Sequence, residues 1–438
     1  MRVLWVINLI LPAFAASQGL TASVREGWLS GLYRAVRGAM GAETDFSLCI
    51  AYPEPPDETI SDRIEWDGVV WYGFREDLKH PEKYDARMEQ RFSWILADAQ
   101  PDIVHVFGTE FPHAGAALKA FGRPERSLVG IQGICTRIAE CYMAGLPEDV
   151  QREVTIRDFL KRDSLRQQQK KFAMRGERER ETVALAGHIT GRTAFDEHET
   201  GLMHPGRVYH PMNETLREEF YTGQWEKKGV IPHRIFLSQG DYPLKGFHYL
   251  LMAVAELLRE EPDTYGDLTV AVAGNSVIGG NGSRIPLFLK IGTYGKYLRR
   301  LIEEEQLADH VEMLGSLSAS QMKEEMLKAG LFACPSELEN SPNSMGEAML
   351  LGVPVVASDT GGIPSLLKDG REGILVRPGD IHGLAEAIRQ IFDEPMIASL
   401  YGENARKRAL VTHDPEKNLR RLFEIYGEIC GEPAVTEQ

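Results

Sequence analysis

Short apolar runs recur along this chain, and each is followed by a longer stretch in which apolar positions return every three or four residues. In the first half the runs cover 3–11, 46–51, 69–72, 103–107, 128–132 and 188–191. In the second half they cover 235–239, 268–273, 311–314, 331–334, 354–358 and 373–376. Runs this short, rich in β-branched residues and followed by helical periodicity, predict strands alternating with helices, hence parallel sheets built from βαβ units. Six runs per half predict two doubly wound α/β domains with ligands at the carboxyl ends of the strands. A polar stretch, 222–233, follows the Phe220-Tyr221 pair and places the boundary so that one domain spans 1–228 and the other 229–412. The amphipathic segment 415–429, within 413–438, is expected to pack back onto the first domain.

Two stretches allow more than one interpretation. The N-terminus has a basic start, an apolar run and an Ala-x-Ala ending, which are the parts of a signal peptide. It carries a single charge, and Asn8 interrupts the run, so a buried strand followed by a loop is preferred. The stretch 151–181 is dense in both signs of charge, with Phe159, Leu165 and Phe172 as an apolar edge. It reads either as a solvated helix face or as a peripheral contact with a membrane or an anionic acceptor. Gly279-Gly-Asn-Gly282 reads as a surface turn, since it does not directly follow a strand.

Length and composition narrow the class. A chain of 438 residues exceeds what one core holds. With 43% hydrophobic and 26% charged residues it is neither disordered nor fibrous. A net charge of −15 argues against a nucleic-acid partner. The five cysteines (Cys49, Cys135, Cys141, Cys334, Cys430) lack CxxC spacing, so neither a zinc site nor a disulfide framework is expected. No window reaches 18 apolar residues, and the expected location is the cytoplasm, with peripheral attachment to the inner face of the membrane as an option.

The densest chemistry lies in 335–362. There a strand opens into a polar loop, and a helix begins near Asn343 or Ser344 and runs to Leu351, before Gly352. Free N–H groups at a helix start suit a phosphate. Glu339 in the loop and Glu347 in the helix are better used to accept hydrogen bonds from hydroxyls, as a sugar or a ribose would offer. Ser344-x-x-Glu347 also fits a capping box, in which Glu347 only closes the helix start. For Glu339 the alternative, a solvated loop carboxylate, is the weaker of the two.

Glu339 and Glu347, followed by Ala-Met and Gly352-Val-Pro-Val-Val-Ala-Ser-Asp-Thr-Gly-Gly362, resemble the Glu-x7-Glu signature of family 4 retaining glycosyltransferases. The resemblance covers about 235–376, and the first half only in layout. It implies the GT-B fold, two Rossmann-like domains facing a cleft, with no metal and no cofactor beyond the nucleotide-sugar substrate. Lys245-Gly246 is similar to the family's diphosphate-binding element. By the same resemblance Glu339 binds hydroxyls of the donor sugar and Glu347 those of the ribose. Backbone N–H groups of Asn343, Ser344 and Met345 hold the distal phosphate, with Asn340 and Ser341 beside them. Gly315 and Ser316 lie against the base, and Gln239 completes the donor side. Catalytic weight falls on Lys245, Glu339 and His113. Gly19 is assigned to the donor, and Gln18, Glu110, His113 and Arg192 to the acceptor side. Glu339-Asn-Ser-Pro-Asn-Ser344, Gly191-Arg-Thr193 with Asp196, and Asn213-Glu-Thr-Leu-Arg217 with Phe220-Tyr221 resemble a bacterial surface-polysaccharide subgroup.

Several positions depart from the family pattern. The arginine usual five or six residues before the lysine is replaced by Gly240 and Gln239. Pro342 stands where Gly is common, His105-Val-Phe107 replaces a His-x-His, and Gly19 replaces a Gly pair. The expected function is transfer of a sugar, with retention and without metal, from a nucleoside-diphosphate sugar (UDP favoured) to a glycan or lipid-linked acceptor in surface-polysaccharide synthesis. The rivals are a silent binding subunit that partners an active transferase, and a nucleotide-sugar epimerase or hydrolase.

Overall fold

A computed structural model describes residues 1–20, 27–40, 45–55, 61–279 and 286–431. Residues 280–282 of the predicted surface turn and 432–438 of the C-terminal segment lie outside them. The chain divides into two compact units. One comprises Met1–Arg137, Lys171–Leu216 and His413–Gln438; the other comprises Ile138–Lys170 and Arg217–Thr412.

Among its described residues the first unit holds eight strands: β1 (Arg2–Val6), β2 (Ser47–Pro53), β3 (Arg63–Trp66), β4 (Val69–Phe74), β5 (Ile103–Phe107), β6 (Ser127–Gly130), β7 (His188–Gly191) and β8 (Val208–Pro211). Their order is β3-β4-β2-β1-β5-β6-β7-β8, parallel except for β3. Both strands absent from the sequence expectation, β3 and β8, are edges. An edge strand needs no continuous apolar run, and β3 indeed alternates exposed and half-buried positions. The N-terminal run splits in two. β1 ends at Val6, and the Ala-x-Ala region forms a short helix, Pro12–Ser17, in place of the expected loop. Pro12 suits its first turn, and Phe14 stacks on Trp71 with ring centroids 4.0 Å apart. The C-terminal helix Pro415–Cys430 buries Leu422, Ile425, Tyr426 and Ile429 in the same core as Val3 and Trp5. The Tyr426 hydroxyl accepts from Trp5 Nε1 at 2.8 Å.

The second unit holds β9 (Arg234–Leu237), β10 (Thr269–Ala273), β11 (Val311–Gly315), β12 (Leu331–Cys334), β13 (Val355–Ser358) and β14 (Ile374–Val376), all parallel. The order β11-β10-β9-β12-β13-β14 reverses direction between β9 and β12, the place at the carboxyl edge where doubly wound sheets bind ligands.

Two expectations about chain division change. The units separate after Leu216 rather than after 228, because Trp225 pins the polar stretch onto the second unit. Its backbone N–H donates to Leu351 O and its indole to Ala329 O, both at 2.8 Å. Residues 138–170, expected in the first domain, pack with the second. Buried Asp158 there accepts from the backbone N–H (2.9 Å) and hydroxyl (2.7 Å) of Thr293, capping the helix Thr293–Glu304. The charged stretch 151–181 is therefore not one surface. It comprises a short helix Ile156–Lys161 in the second unit and a long helix Leu165–Ala184 that crosses the division. Leu165 is buried there, whereas Phe159 is exposed. No described helix is long and apolar enough to cross a membrane.

Candidate functional site

The loops after β9 and β12 bring Lys245 to Glu339 and Ser238 to Ser344. After β9 the chain passes Gln239, whose side-chain amide donates to Asp241 at 2.7 Å, and enters a 3-10 turn, Pro243–Lys245. Gly246 ends that turn at φ +67° and starts the helix Phe247–Glu260. A Cβ at Gly246 would lie 1.8 Å from the Pro335 carbonyl oxygen, so only glycine lets the lysine turn lie against the loop after β12. The Glu337 N–H donates to Leu244 O at 2.8 Å and locks the two loops together.

This packing delivers Lys245 Nζ to Glu339 Oε1 at 2.6 Å, and the Ser336 hydroxyl donates to the same oxygen at 2.8 Å. Burial weighs hardest on the ammonium and favours loss of its proton. The Glu339 carboxylate and Tyr242 together outweigh it, so Lys245 is held charged above the ordinary lysine range. Glu339 is fixed from behind as well. Gly362 N–H donates to its carbonyl at 2.9 Å, and a Cβ on Gly361 would meet that carbonyl at 2.0 Å. Glu339 is thus no freely solvated loop carboxylate. Beside it Asn340 is only 9% exposed, and neither its amide nitrogen nor its oxygen has a hydrogen-bond partner among the described residues. Ser341 follows it, half-buried.

The helix Asn343–Leu351 begins after Pro342, with no side-chain cap. Glu347 does not close a capping box. Instead Arg217 grips it with both ends of the guanidinium, Nε to Oε1 and Nη2 to Oε2, each at 2.6 Å. Burial raises the Glu347 carboxyl above its usual range, and Arg217 pulls against that rise. In the first turn the Met345 N–H already bonds Pro342 O at 3.0 Å, which weakens its assignment to a phosphate, while the Ser344 hydroxyl accepts from Ser238 at 2.9 Å. Gly315, at φ +75° with open space where a Cβ would stand, and exposed Ser316 follow β11 on the same edge. Sequence reading gave Arg217 no role in the site. The signal was present, since Arg217 closes the Asn213–Arg217 motif, but nothing in that motif names Glu347 as its partner.

In the first unit the nominated residues are mostly enclosed. His113 sits in the first turn of the helix Pro112–Phe121 and is 1% exposed. Its backbone N–H donates to Glu76 Oε1 at 3.0 Å, and its ring Nδ1 lies 2.7 Å from Glu76 Oε2. Arg192 forms a buried ion pair with Glu214 at 2.5 Å, and Gln132 donates to the same carboxylate at 3.0 Å. Thr193 and Asp196 cap the helix Ala194–Met203 reciprocally, so the Gly-Arg-Thr motif serves local folding here. His105 is buried against Tyr426, 2.8 Å from its hydroxyl, and burial pushes its pKa down to about 3. Glu110 is half-buried after β5, and burial raises its carboxyl above the usual range. Gln18 and Gly19 follow the helix Pro12–Ser17, with Gly19 exposed at φ +70°. Among the described residues no group of three or more His, Cys, Asp or Glu side chains is arranged to hold a metal.

Residues 225–408 match the family model of glycosyl transferases group 1. A D-inositol 3-phosphate glycosyltransferase 2 from Catenulispora acidiphila is 32% identical over 167 residues, 38% of this chain and 36% of that protein. WcaL of Salmonella typhimurium, named for colanic acid biosynthesis, is 36% identical over 108 residues, 23% of this chain and 27% of its own. The chain thus spans about a third of the length of these curated relatives. Anabaena HepE, solved in complex with UDP-glucose, aligns over 98% of this chain and 100% of its own, with a TM-score of 0.65 and 15% identity. The fold of the chain is GT-B, and within its second unit residues 225–408 match the model of glycosyl transferases group 1.

Proposed function

We propose that this protein transfers a sugar from a nucleoside-diphosphate sugar, preferably a UDP-sugar, to a glycan or lipid-linked acceptor in surface-polysaccharide synthesis, with retention and without a metal. The observation that carries this reading is the half-buried Lys245–Glu339 pair at the point where the second sheet reverses direction. An ammonium held there faces a diphosphate and stabilises the charge that grows on the leaving phosphate. Glu339, its remaining lone pairs directed away from Lys245, accepts hydrogen bonds from sugar hydroxyls, and Asn340 gains the partners it lacks. Glu347, oriented by Arg217, accepts from the ribose. Arg217 acts through Glu347 and is a positioning residue.

In the front-face reaction proposed, the glycosidic C–O bond breaks and the leaving phosphate oxygen takes the proton of the acceptor hydroxyl as that hydroxyl bonds to the same face of the sugar. No enzyme nucleophile is needed, and the protein supplies position and charge. The likeness to HepE, whose solved complex holds UDP-glucose, supports uridine as the base, and the likeness to WcaL supports a polysaccharide product. The test is thermal unfolding against UDP, GDP, ADP and their sugars, for wild type, Lys245→Ala and Glu347→Gln. A UDP-specific rise in melting temperature, absent in Lys245→Ala and weakened in Glu347→Gln, is expected. No rise with any nucleotide, in a protein that melts cooperatively, overturns the donor site and returns weight to a silent binding subunit.

A further inference from the structure

We propose that the tip formed by residues 154–160 and 288–289 docks this protein on an anionic phospholipid surface. The short helix Ile156–Lys161 is amphipathic in the reverse of the usual sense. Its polar residue Asp158 is buried and committed to Thr293, while Phe159 is 75% and Leu160 67% exposed. Val154 and Ile156 are each more than half exposed as well. Beside this helix packs the turn Leu287–Leu289, whose Phe288 is 56% exposed. The exposure does not come from a loosely held segment. Thr155 and Asp158 cap the helix reciprocally, Glu153 pairs with Lys296, and Arg157 bridges Asp158 and Asp163. A firmly anchored element that turns five large apolar side chains outward marks a surface of interaction.

Charge identifies the partner. In a chain of net charge −15, residues 151–171 hold seven basic side chains and three acidic ones. All three carboxylates are used: Asp158 is buried, Asp163 pairs with Arg157 and Glu153 with Lys296. Lys161, Arg162, Arg166 and Lys170 are exposed, and no ion pair involves them among the described residues. Apolar side chains rimmed by free cations fit the boundary between lipid headgroups and acyl chains, where Phe and Leu enter and Lys and Arg reach the phosphates. A second copy of this chain fits poorly, because a two-fold contact through the tip sets these four cations against themselves. This inference stands apart from the donor-site reading, since docking requires no nucleotide.

The test is flotation of the full-length protein with neutral phosphatidylcholine vesicles and with vesicles enriched in phosphatidylglycerol, at low and high salt. The variants are Phe159→Ser/Leu160→Ser and Lys161→Gln/Arg162→Gln, with melting temperature measured on each as a control for folding. Wild type is expected to bind the anionic vesicles, to bind neutral ones at least tenfold less, and to be released by salt. Lys161→Gln/Arg162→Gln is expected to lose about tenfold or more, the scale set by roughly 1 kcal/mol per basic residue near such a surface, and Phe159→Ser/Leu160→Ser to lose about tenfold through the apolar side chains it withdraws. Equal binding to both vesicle types, no binding to either, or unchanged binding by variants that melt like wild type overturns the proposal. So does a wild-type dimer in lipid-free solution that Phe159→Ser/Leu160→Ser disperses, which assigns the tip to self-association. A failed UDP shift beside intact anionic binding removes only the donor-site reading.

Discussion

The two sheets reverse direction in the same way, between β1 and β5 in one unit and between β9 and β12 in the other, yet they put their polar residues to different uses. In the second unit the reversal point holds Lys245 and Glu339, one-fifth and one-tenth exposed, with Asn340 unsatisfied beside them. In the first unit the corresponding place holds His113, in the helix after β5, clamped by Glu76, and the loop residue Thr109, whose hydroxyl donates to Glu179 of the helix Leu165–Ala184 at 2.8 Å. His113, Glu76 and Glu179 are sealed from solvent. One site keeps its charged groups at the edge where a ligand can reach them; the other consumes them in holding loops. A doubly wound fold specifies where a site can be, and side-chain pairing decides whether one is there.

The largest expected effect tests the second unit. Arg217→Ala leaves Glu347, 3% exposed, without its cation and should cost about 3–5 kcal/mol in chemical denaturation. Adding Glu347→Gln to that variant should recover much of the loss, because the uncompensated charge is gone. A cost under about 1 kcal/mol would make the pair no stronger than a surface bridge and erase the contrast between the units.

Next comes the lysine turn. Gly246→Ala sets a Cβ against the Pro335 carbonyl and forces a left-handed backbone on alanine, for about 1–3 kcal/mol of strain. Its UDP-induced melting shift should also vanish, since the turn that carries Lys245 must move. A normal shift would show that Lys245 does not depend on that close packing.

The smallest effect sharpens the first unit. Burial, with a smaller contribution from Glu110, pushes the Glu179 carboxyl up to about 8 from 4.5. The folded protein then keeps a proton that the unfolded chain gives up between those two values. Stability should therefore fall as pH rises from about 5 to 8 and level off above. Glu179→Gln should flatten that slope, so its stability relative to wild type should rise between pH 5 and pH 8. An unchanged slope would assign the titration to another group.

Much of this was readable before the structure. All twelve apolar runs became strands at least in part; ten lie inside a sheet, where a parallel strand buried on both faces is continuously apolar, and β11 and β14 are the half-buried edges of the second sheet. Glu339 and Glu347 stood out because they flank a helix start after a strand and resemble the Glu-x7-Glu signature, and Lys245 because Lys245-Gly246 resembles the family's diphosphate-binding element. β3 and β8 escaped notice because their exposed positions interrupt the apolar pattern. The place of 138–170 in the second unit was hidden because Asp158 and Thr293 are 135 positions apart.

The same division runs through the site. The sequence alone determined the order of elements, the positions of the strand ends and the residue types placed there, since local periodicity and turn chemistry act over a few residues. Pairing was left to tertiary structure. Arg217 reaches Glu347 across 130 residues, Gly246 meets Pro335, and His113 is sealed by Glu76. Burial and ion pairing depend on which distant segments share a volume, and no local pattern encodes that.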